Sequence, residues 1–268
     1  MSGVIMDRYR ERYESFRWQL PARFNMGIAC CGRWAGERSR FAMYWEDETG
    51  RTAAYTYWDL QREANRLSNA LVALGVQPGD RVAIILPQRP ETAIAHIACY
   101  QMGAIAMPLS ILFGPEALEY RLQNSDTSVA IVDPQSIENL ASIRDRCPAL
   151  RHVIGVANAR ESDVHAWEAL LERAATRFTP VDTGAEEPAL LIYTSGTTGP
   201  PKGALKPQRV LLGNLSGFAL SHDEFPQRGD LFWSPADWAW TGGLMDALLP
   251  TLYYGQAIVG FRGRFDPE

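Results

Sequence analysis

Apolar and polar residues follow two alternating patterns along most of the chain. Short apolar runs, such as 82–86 and 129–132, are typical of strands that are buried on both faces of a sheet. Between such runs, apolar residues recur every three or four positions, as in an amphipathic helix over 58–74. The apolar face of that helix would consist of Leu60, Ala64, Leu67, Leu71 and Leu74. Strands that alternate with helices predict an α/β fold with a doubly wound sheet.

Local signals predict where these elements begin and end. Thr56 and Asp59 resemble a capping box in front of the first long helix, and Gly75 is a suitable residue to end it. The predicted strands are 53–57, 82–86, 104–107, 129–132, 152–156 and 189–193. Further helices are predicted over 90–102, from Pro115, from Asp133-Pro134, and from a capping Asp163 to about residue 174.

The pattern divides the chain into three parts. Residues 1–50 lack a clear period and are predicted to be an irregular N-terminal segment, and 51–178 form a first α/β subdomain. A polar linker follows, and 189–268 are predicted to start a second, similar subdomain that is incomplete. The last three residues, Asp266-Pro267-Glu268, are typical of a helix start. We therefore expect a fragment of a longer protein whose C-terminal domain is absent.

Composition narrows the class of protein. Apolar residues make up 46% of the chain, charged residues 21%, and the net charge is −5, as in a globular protein without a basic nucleic-acid surface. No apolar stretch is long enough to predict a membrane span, and the N-terminus lacks the apolar core of a signal peptide. The four cysteines form no Cys-x-x-Cys pair, so we predict no metal site and a cytoplasmic location.

A loop rich in glycine and hydroxyl residues follows the predicted strand 189–193. It reads Thr194, Ser195, Gly196, Thr197, Thr198, Gly199, Pro200, Pro201, Lys202 and Gly203. Its glycines allow close approach of the backbone to a ligand, its hydroxyls donate hydrogen bonds, and Lys202 adds a positive charge. Polyphosphate is the ligand that uses all three properties. A flexible surface loop is the alternative, which the position directly after a buried strand disfavours.

A Walker A loop is the main competing phosphate motif. That motif needs Gly before its Lys and Ser or Thr after it. Here Pro201 precedes Lys202 and Gly203 follows it, so a P-loop kinase or NTPase is largely excluded.

The segment from Tyr193 to Gly203 resembles the AMP-binding signature of the acyl-adenylate-forming superfamily. Other segments are similar to the acetyl-CoA and medium-chain acyl-CoA synthetase branch of that superfamily. They are Phe24-Asn25, Tyr55 to Leu60, Pro78 to Val82, Phe113 to Leu118, and Ala236 to Gly243, where Ala239 replaces the usual Gly. The resemblance covers nearly all of this chain but only about the first half of a family member.

The resemblance implies a ligase that activates a short- or medium-chain carboxylic acid in fatty acid metabolism. ATP, bound with Mg²⁺, would give acyl-AMP and pyrophosphate, and CoA would then give acyl-CoA. By resemblance, the phosphates are held by Thr194, Ser195, Gly196, Thr197, Thr198, Gly199 and Lys202. Trp240 and Gly243 are candidates for the acyl pocket, although Trp240 could equally be a core residue.

Some family parts have no match in this sequence. These are the Tyr-Gly-x-Thr-Glu segment and the Lys that promotes adenylation, so the catalytic residues stay unassigned. We expect the 268-residue chain to be inactive alone. The alternative is a non-catalytic remnant that binds a nucleotide or a partner protein.

Overall fold

The structure is a computed structural model that describes residues 2–194 and 199–263. The strands are β1 Phe41–Asp47, β2 Thr52–Thr56, β3 Arg81–Ile85, β4 Ile105–Pro108, β5 Val129–Val132, β6 His152–Gly155, β7 Val164–Ala166, β8 Pro188–Thr194, β9 Lys202–Pro207, β10 Leu231–Trp233 and β11 Ala257–Arg262. The α-helices are α1 Ser2–Ser15, α2 Tyr57–Ala73, α3 Pro90–Gln101, α4 Pro115–Asn124, α5 Ile137–Ala141, α6 Trp167–Arg173, α7 Val210–Ser221, α8 Thr241–Gly243 and α9 Leu249–Tyr253. Single π-helical turns span Ile28–Gly32 and Leu244–Leu248, and a 3₁₀ turn spans Arg144–Arg146.

A seven-stranded sheet with the order β7-β6-β5-β3-β4-β8-β9 forms the centre of the fold. Its strands are parallel except for β9, which runs antiparallel to β8. Along β3, Val82 and Ile84 pack into one hydrophobic core, while Ala83 and Ile85 pack into a second. Side chains of successive strand residues point to opposite faces, so the sheet is covered on both sides. The predicted α/β class with a parallel sheet is confirmed.

Helix α2 begins where the sequence predicts. The Thr56 hydroxyl accepts from the Asp59 backbone N–H at 3.2 Å, and the Asp59 carboxylate accepts from the Thr56 N–H at 3.0 Å. This reciprocal pair is the predicted capping box, and it satisfies amides that have no partner inside the helix. At the other end, Gly75 has φ +84°, a conformation that favours glycine.

The prediction of an irregular segment over residues 1–50 is wrong. The structure has a helix over residues 2–15 and a strand, β1, over residues 41–47. β1 pairs with β2 and with β11, and β10 completes this second, four-stranded sheet. The parallel partner β11 lies near the other end of the chain, with Met43 opposite Ile258. The pairing with β11 leaves no local signal in the sequence, whereas the short turn from β1 to β2, with Gly50 at φ +79°, does leave one.

The two sheets do not follow the boundary predicted near residues 179–188. β8 lies beside β4 in the seven-stranded sheet, so residues after the linker complete the first sheet. The division into subdomains stays a prediction. Asp163 does not cap a helix, because β7 follows it and Ala166 occupies the N-cap of α6.

Two expectations remain from the sequence, a helix start at residues 266–268 and the lack of a membrane-spanning helix. The Asp266-Pro267-Glu268 segment lies outside the described residues. Among the described residues, no helix is both long and apolar enough to cross a membrane.

Candidate functional site

The predicted phosphate loop connects the two strands of an antiparallel hairpin, β8 and β9. The last residue of β8, Thr194, lies directly opposite the first residue of β9, Lys202. Residues 189–193 are buried because the two hydrophobic cores cover both faces of β8, whereas Thr194 and Lys202 are exposed. The hairpin therefore brings a hydroxyl and an ammonium group together in solvent at the end of a rigid strand.

Only part of the loop itself can be assessed. Ser195, Gly196, Thr197 and Thr198 lie outside the described residues. Gly199 has φ +101°, which is a conformation that residues with a Cβ rarely adopt, and no atom lies within 4 Å of where a Cβ would stand. The loop thus has space on its open side at this position.

The lysines of the chain are concentrated at this site. Lys202 and Lys206 are the two lysines of the sequence, and both lie on β9. Arginine supplies all other side-chain cations apart from histidine. An ammonium group is a compact, strongly hydrated charge that suits a phosphate, whereas arginine prefers planar two-point contacts.

Helix α4 contacts both ends of the loop, which the sequence did not predict. The Tyr120 hydroxyl donates to the Pro201 carbonyl at 2.9 Å, one residue before Lys202. The Tyr193 hydroxyl, one residue before Thr194, donates to Asn124 Oδ1 at 2.7 Å. No motif in α4 indicates these contacts, because they depend on how the helix packs against the hairpin.

A cavity of about 670 Å³ opens beside the hairpin. Its lining residues are Trp18, Leu20, Leu190, Ile192, Thr194, Ala204, Lys206, Pro207, Arg209, Val210, Gly213, Asn214, Thr241 and Met245. Most of these side chains are apolar, and Thr194 lines the cavity at the point where the loop begins. Trp18 and Leu20 come from the N-terminal segment, and no pattern in the sequence indicates their presence here.

The two acyl-pocket candidates have different surroundings. Trp240 is 43% exposed and packs edge-on against Phe113, with ring centroids 5.6 Å apart, whereas Trp238 is a core residue. Gly243 is buried, and a Cβ at this position would lie 2.2 Å from the Asp237 carbonyl oxygen. Close backbone packing therefore requires glycine at 243. Neither residue is among those that line the cavity, but Thr241, between them, is.

Asp237, three residues before Trp240, lines a second cavity. Burial raises its pKa, although the Ala239 N–H and the Ser110 hydroxyl both donate to its carboxylate, at 3.0 and 3.1 Å. The second cavity, of about 560 Å³, is lined by Asp237 together with Glu46, Gln88 and residues of β11. The charged residues of this second cavity are carboxylates, whereas those of the cavity beside the hairpin are the cations Lys206 and Arg209.

His96 and Cys99 are buried in the core and lie outside the candidate site. Burial lowers the pKa of His96 to about 3, and its Nδ1 lies 2.9 Å from the Tyr100 hydroxyl. Burial raises the pKa of the Cys99 thiol to about 12. Within the described ranges, no group of three or more His, Cys, Asp or Glu side chains is arranged to hold a metal ion.

Comparison with known proteins identifies the family. A profile described as "AMP-binding enzyme" matches residues 33–268. The chain belongs to this family. An acetyl-coenzyme A synthetase from Syntrophus aciditrophicus is 31% identical in an alignment of 269 positions, which covers 92% of this chain and 41% of that protein. An acetyl-coenzyme A synthetase from Nostoc linckia is 32% identical and is matched over 79% of its length by 93% of this chain.

Solved structures of the family have the same fold. The crystal structure of a Brucella canis acyl-CoA synthetase superposes with a TM-score of 0.86 at 26% identity, over 96% of this chain and 48% of that one. An acetoacetyl-CoA synthetase from Streptomyces lividans gives a TM-score of 0.82 at 27% identity, over 92% and 40%. The resemblance to adenylate-forming acyl-CoA synthetases is confirmed. The chain spans less than half of the Syntrophus protein and of both solved chains.

Proposed function

We propose that this chain supplies the nucleotide-binding part of an AMP-forming acyl-CoA synthetase. In the proposed reaction, a carboxylate attacks the α-phosphate of ATP, and acyl-AMP and pyrophosphate form. The thiol of CoA then attacks the acyl carbon, which yields acyl-CoA and AMP. ATP would arrive as its Mg²⁺ complex.

The observation that carries this proposal is the cross-strand pair of Thr194 and Lys202 in a member of the AMP-binding family. An exposed ammonium fixed at the start of β9 would offset negative charge on the β- and γ-phosphates, where the leaving pyrophosphate develops. The Thr194 hydroxyl would donate a hydrogen bond to the same phosphates, and the open space at Gly199 would let the backbone approach them. The hydroxyls of Ser195, Thr197 and Thr198 complete the proposed set.

The apolar cavity beside Thr194 supports an acid with an apolar tail. Such a tail would lie among Leu190, Ile192, Val210 and Met245, with the carboxylate towards Thr194. Burial of methylene groups contributes about 0.8 kcal/mol each, so short- and medium-chain aliphatic acids fit the lining better than polar acids. Trp240 and Gly243 do not line this cavity, and they stay candidates for the acyl site through Thr241, which lies between them in the chain and does line it.

We further propose that the 268-residue chain binds ATP without completing the reaction. The Tyr-Gly-x-Thr-Glu segment and the adenylation Lys of the family have no match in the sequence. The chain also corresponds to 41% of the Syntrophus acetyl-CoA synthetase. Pyrophosphate exchange with the purified chain should stay at background, and clear exchange would contradict this part of the proposal.

Selective labelling of lysine provides a direct test of the nucleotide site. Because the chain has only Lys202 and Lys206, an amine-reactive reagent will modify two side chains and the N-terminal amine. ATP with Mg²⁺ should protect Lys202 and leave the N-terminal amine unprotected, as read by peptide mass spectrometry. Equal modification of Lys202 at saturating ATP, together with no binding by calorimetry, would rule out the proposed nucleotide site.

Two glycines on α7 provide a matched test of the acid site. Gly213 lines the cavity, Gly217 does not, and at neither position does an atom lie within 4 Å of where a Cβ would stand. Gly213→Leu should therefore fill the cavity and weaken octanoate binding about tenfold, whereas Gly217→Leu should not. Equal octanoate affinity in both variants would contradict the proposal that the acid binds in this cavity.

A further inference from the structure

Helix α4 joins the two ends of the phosphate loop through a pair of tyrosines. Tyr120 lies on α4 and donates its hydroxyl to Pro201 in the arm that leads into β9. Tyr193 lies on β8 and donates its hydroxyl back to α4, to Asn124 Oδ1 at 2.7 Å and to the Arg121 carbonyl at 3.3 Å. The two rings pack edge to face with centroids 6.4 Å apart. One helix thus holds both arms of the loop by separate hydrogen bonds.

Arg121 lies between these contacts without a carboxylate partner in the described part of the chain. The residue is only 7% exposed, and its guanidinium carbon stands 4.2 Å from the Phe113 ring centroid and 5.6 Å from that of Tyr193. Nη1 donates to the Ala117 carbonyl at 2.7 Å, and Nε has no hydrogen-bond partner among the described residues. A buried cation is costly, so the two aromatic faces are its main compensation.

The stack extends to the acyl-pocket candidate. Phe113, which covers one face of the Arg121 guanidinium, packs edge-on against Trp240. Contacts therefore run without a break from Trp240 through Phe113 and Arg121 to Tyr193, at the start of the loop.

We propose that Tyr120 and Arg121 are positioning residues for the phosphate loop, an inference that rests on the proposed function. Tyr120 fixes the carbonyl that precedes Lys202, and Arg121 fixes the ring that precedes Thr194. The backbone that carries the two proposed phosphate-binding side chains, Thr194 and Lys202, is thereby held in place before ATP arrives. Preorganisation of this kind raises affinity because less ordering is required on binding.

The decisive variant is Tyr120→Phe, which removes a single hydroxyl and keeps the ring. Loss of one hydrogen bond of ordinary strength should weaken ATP and tripolyphosphate binding about fivefold. AMP binding should not change, because AMP has no β- or γ-phosphate. The matched control is Tyr44→Phe at an exposed position of β1, which should alter neither ligand.

Hydrogen exchange supplies a readout that does not depend on nucleotide. In Tyr120→Phe, the amides of residues 202–206 should exchange faster, while those of β3 and β5 keep the rates of the unmodified chain. Arg121→Lys keeps the charge but loses the planar stack, so it should show the same pattern with faster exchange of the amides of residues 189–194. If Arg121→Lys does not fold, Tyr120→Phe decides alone.

Each outcome separates the two proposals. Unchanged exchange in β9, or unchanged ATP affinity in Tyr120→Phe, overturns the positioning role. An equal loss of ATP and AMP affinity also overturns it, because a general structural defect would affect both ligands. Faster exchange in β9 in a chain that binds no ATP supports the positioning role and rejects the proposed nucleotide site.

Discussion

The interior and the edge of the seven-stranded sheet contrast sharply in what their residues contact. β3, β4 and β5 are buried almost along their whole length, whereas β9, at the edge, is mostly exposed. β8 stands between them, with a buried middle and an exposed Thr194. The interior strands therefore stabilise the fold, while the β8–β9 edge carries the exposed groups that we propose bind the nucleotide. Variants should therefore divide into those that alter the free energy of unfolding and those that alter affinity.

The largest expected effect concerns a buried ion pair in the interior. Asp133, directly after β5, is fully buried and accepts from Arg89 Nη1 at 2.8 Å. Asp133→Asn should lower the free energy of unfolding by about 3 kcal/mol, because a buried guanidinium loses its charge partner. We expect an effect at the low end of the usual cost of breaking a buried ion pair, because Glu91 still pairs with Arg89.

Urea denaturation measures this effect, and an exposed pair supplies the control. Asp182 pairs with Arg23 at 3.0 Å and is largely exposed, so Asp182→Asn should cost at most about 1 kcal/mol. Equal effects of the two variants would remove the distinction between interior and surface charges.

The second prediction concerns a glycine that sequence resemblance assigned to the acyl site. Gly243→Ala would place a Cβ 2.2 Å from the Asp237 carbonyl oxygen, so the backbone has to move. We expect a loss of about 2 kcal/mol in the free energy of unfolding, as for an overpacked core. Gly242→Ala is the matched control, since no atom lies within 4 Å of its Cβ position. A Gly243→Ala variant of unchanged stability would contradict the packing role.

The third prediction concerns the exposed edge. Lys202→Ala should weaken ATP binding about tenfold, because it removes a charge-assisted contact to phosphate, and should leave thermal stability unchanged. Lys206→Ala, on the same strand, should change ATP affinity by less than about twofold, because its charge stands farther from the loop. Calorimetric titration of both variants measures this difference. Comparable losses in the two variants would show that the total positive charge of β9, rather than the position of Lys202 in the loop, determines the ATP affinity.

The smallest expected effect is a pH dependence that originates in the interior. The folded chain holds His96 neutral, with a pKa of about 3, while the unfolded chain binds a proton near pH 6.5. The unfolded state therefore binds more protons between these values, and His96 destabilises the fold as the pH falls below 6.5. The slope contributed by one such group is at most about 1.4 kcal/mol per pH unit.

His96→Gln should remove this contribution and retain a polar side chain beside Tyr100. Between about pH 6.5 and 5.5, the variant should lose about 1 kcal/mol less stability than the unmodified chain. Parallel stability profiles of the two proteins over this range would show that His96 is accessible to protons in the folded state.

Local signals were sufficient to predict much of the fold and the position of the loop. The apolar run 129–132 coincides with β5, and the Thr56–Asp59 pair caps α2 as expected. The loop was predicted from its residue types and its resemblance to a family signature, and family membership is confirmed. These features depend on neighbours within a few positions, which is the range that periodicity and turn chemistry report.

Features that depend on distant partners could not be predicted. β1 pairs with β11, Trp18 reaches the cavity beside β8, and Tyr120 reaches Pro201. The linker near 179–188 resembles a boundary in composition, yet β8 completes the first sheet beyond it. Nothing in the local pattern distinguishes a strand that starts a new sheet from one that extends an old one.

The sequence by itself determined the family and the α/β class, and it supplied the residue types from which the phosphate loop is proposed. Only the tertiary structure decided that Thr194 and Lys202 face each other, and that α4 holds both ends of the loop through Tyr120 and Tyr193. The physical reason is that residue types specify which groups are available, whereas packing between elements specifies which of them meet.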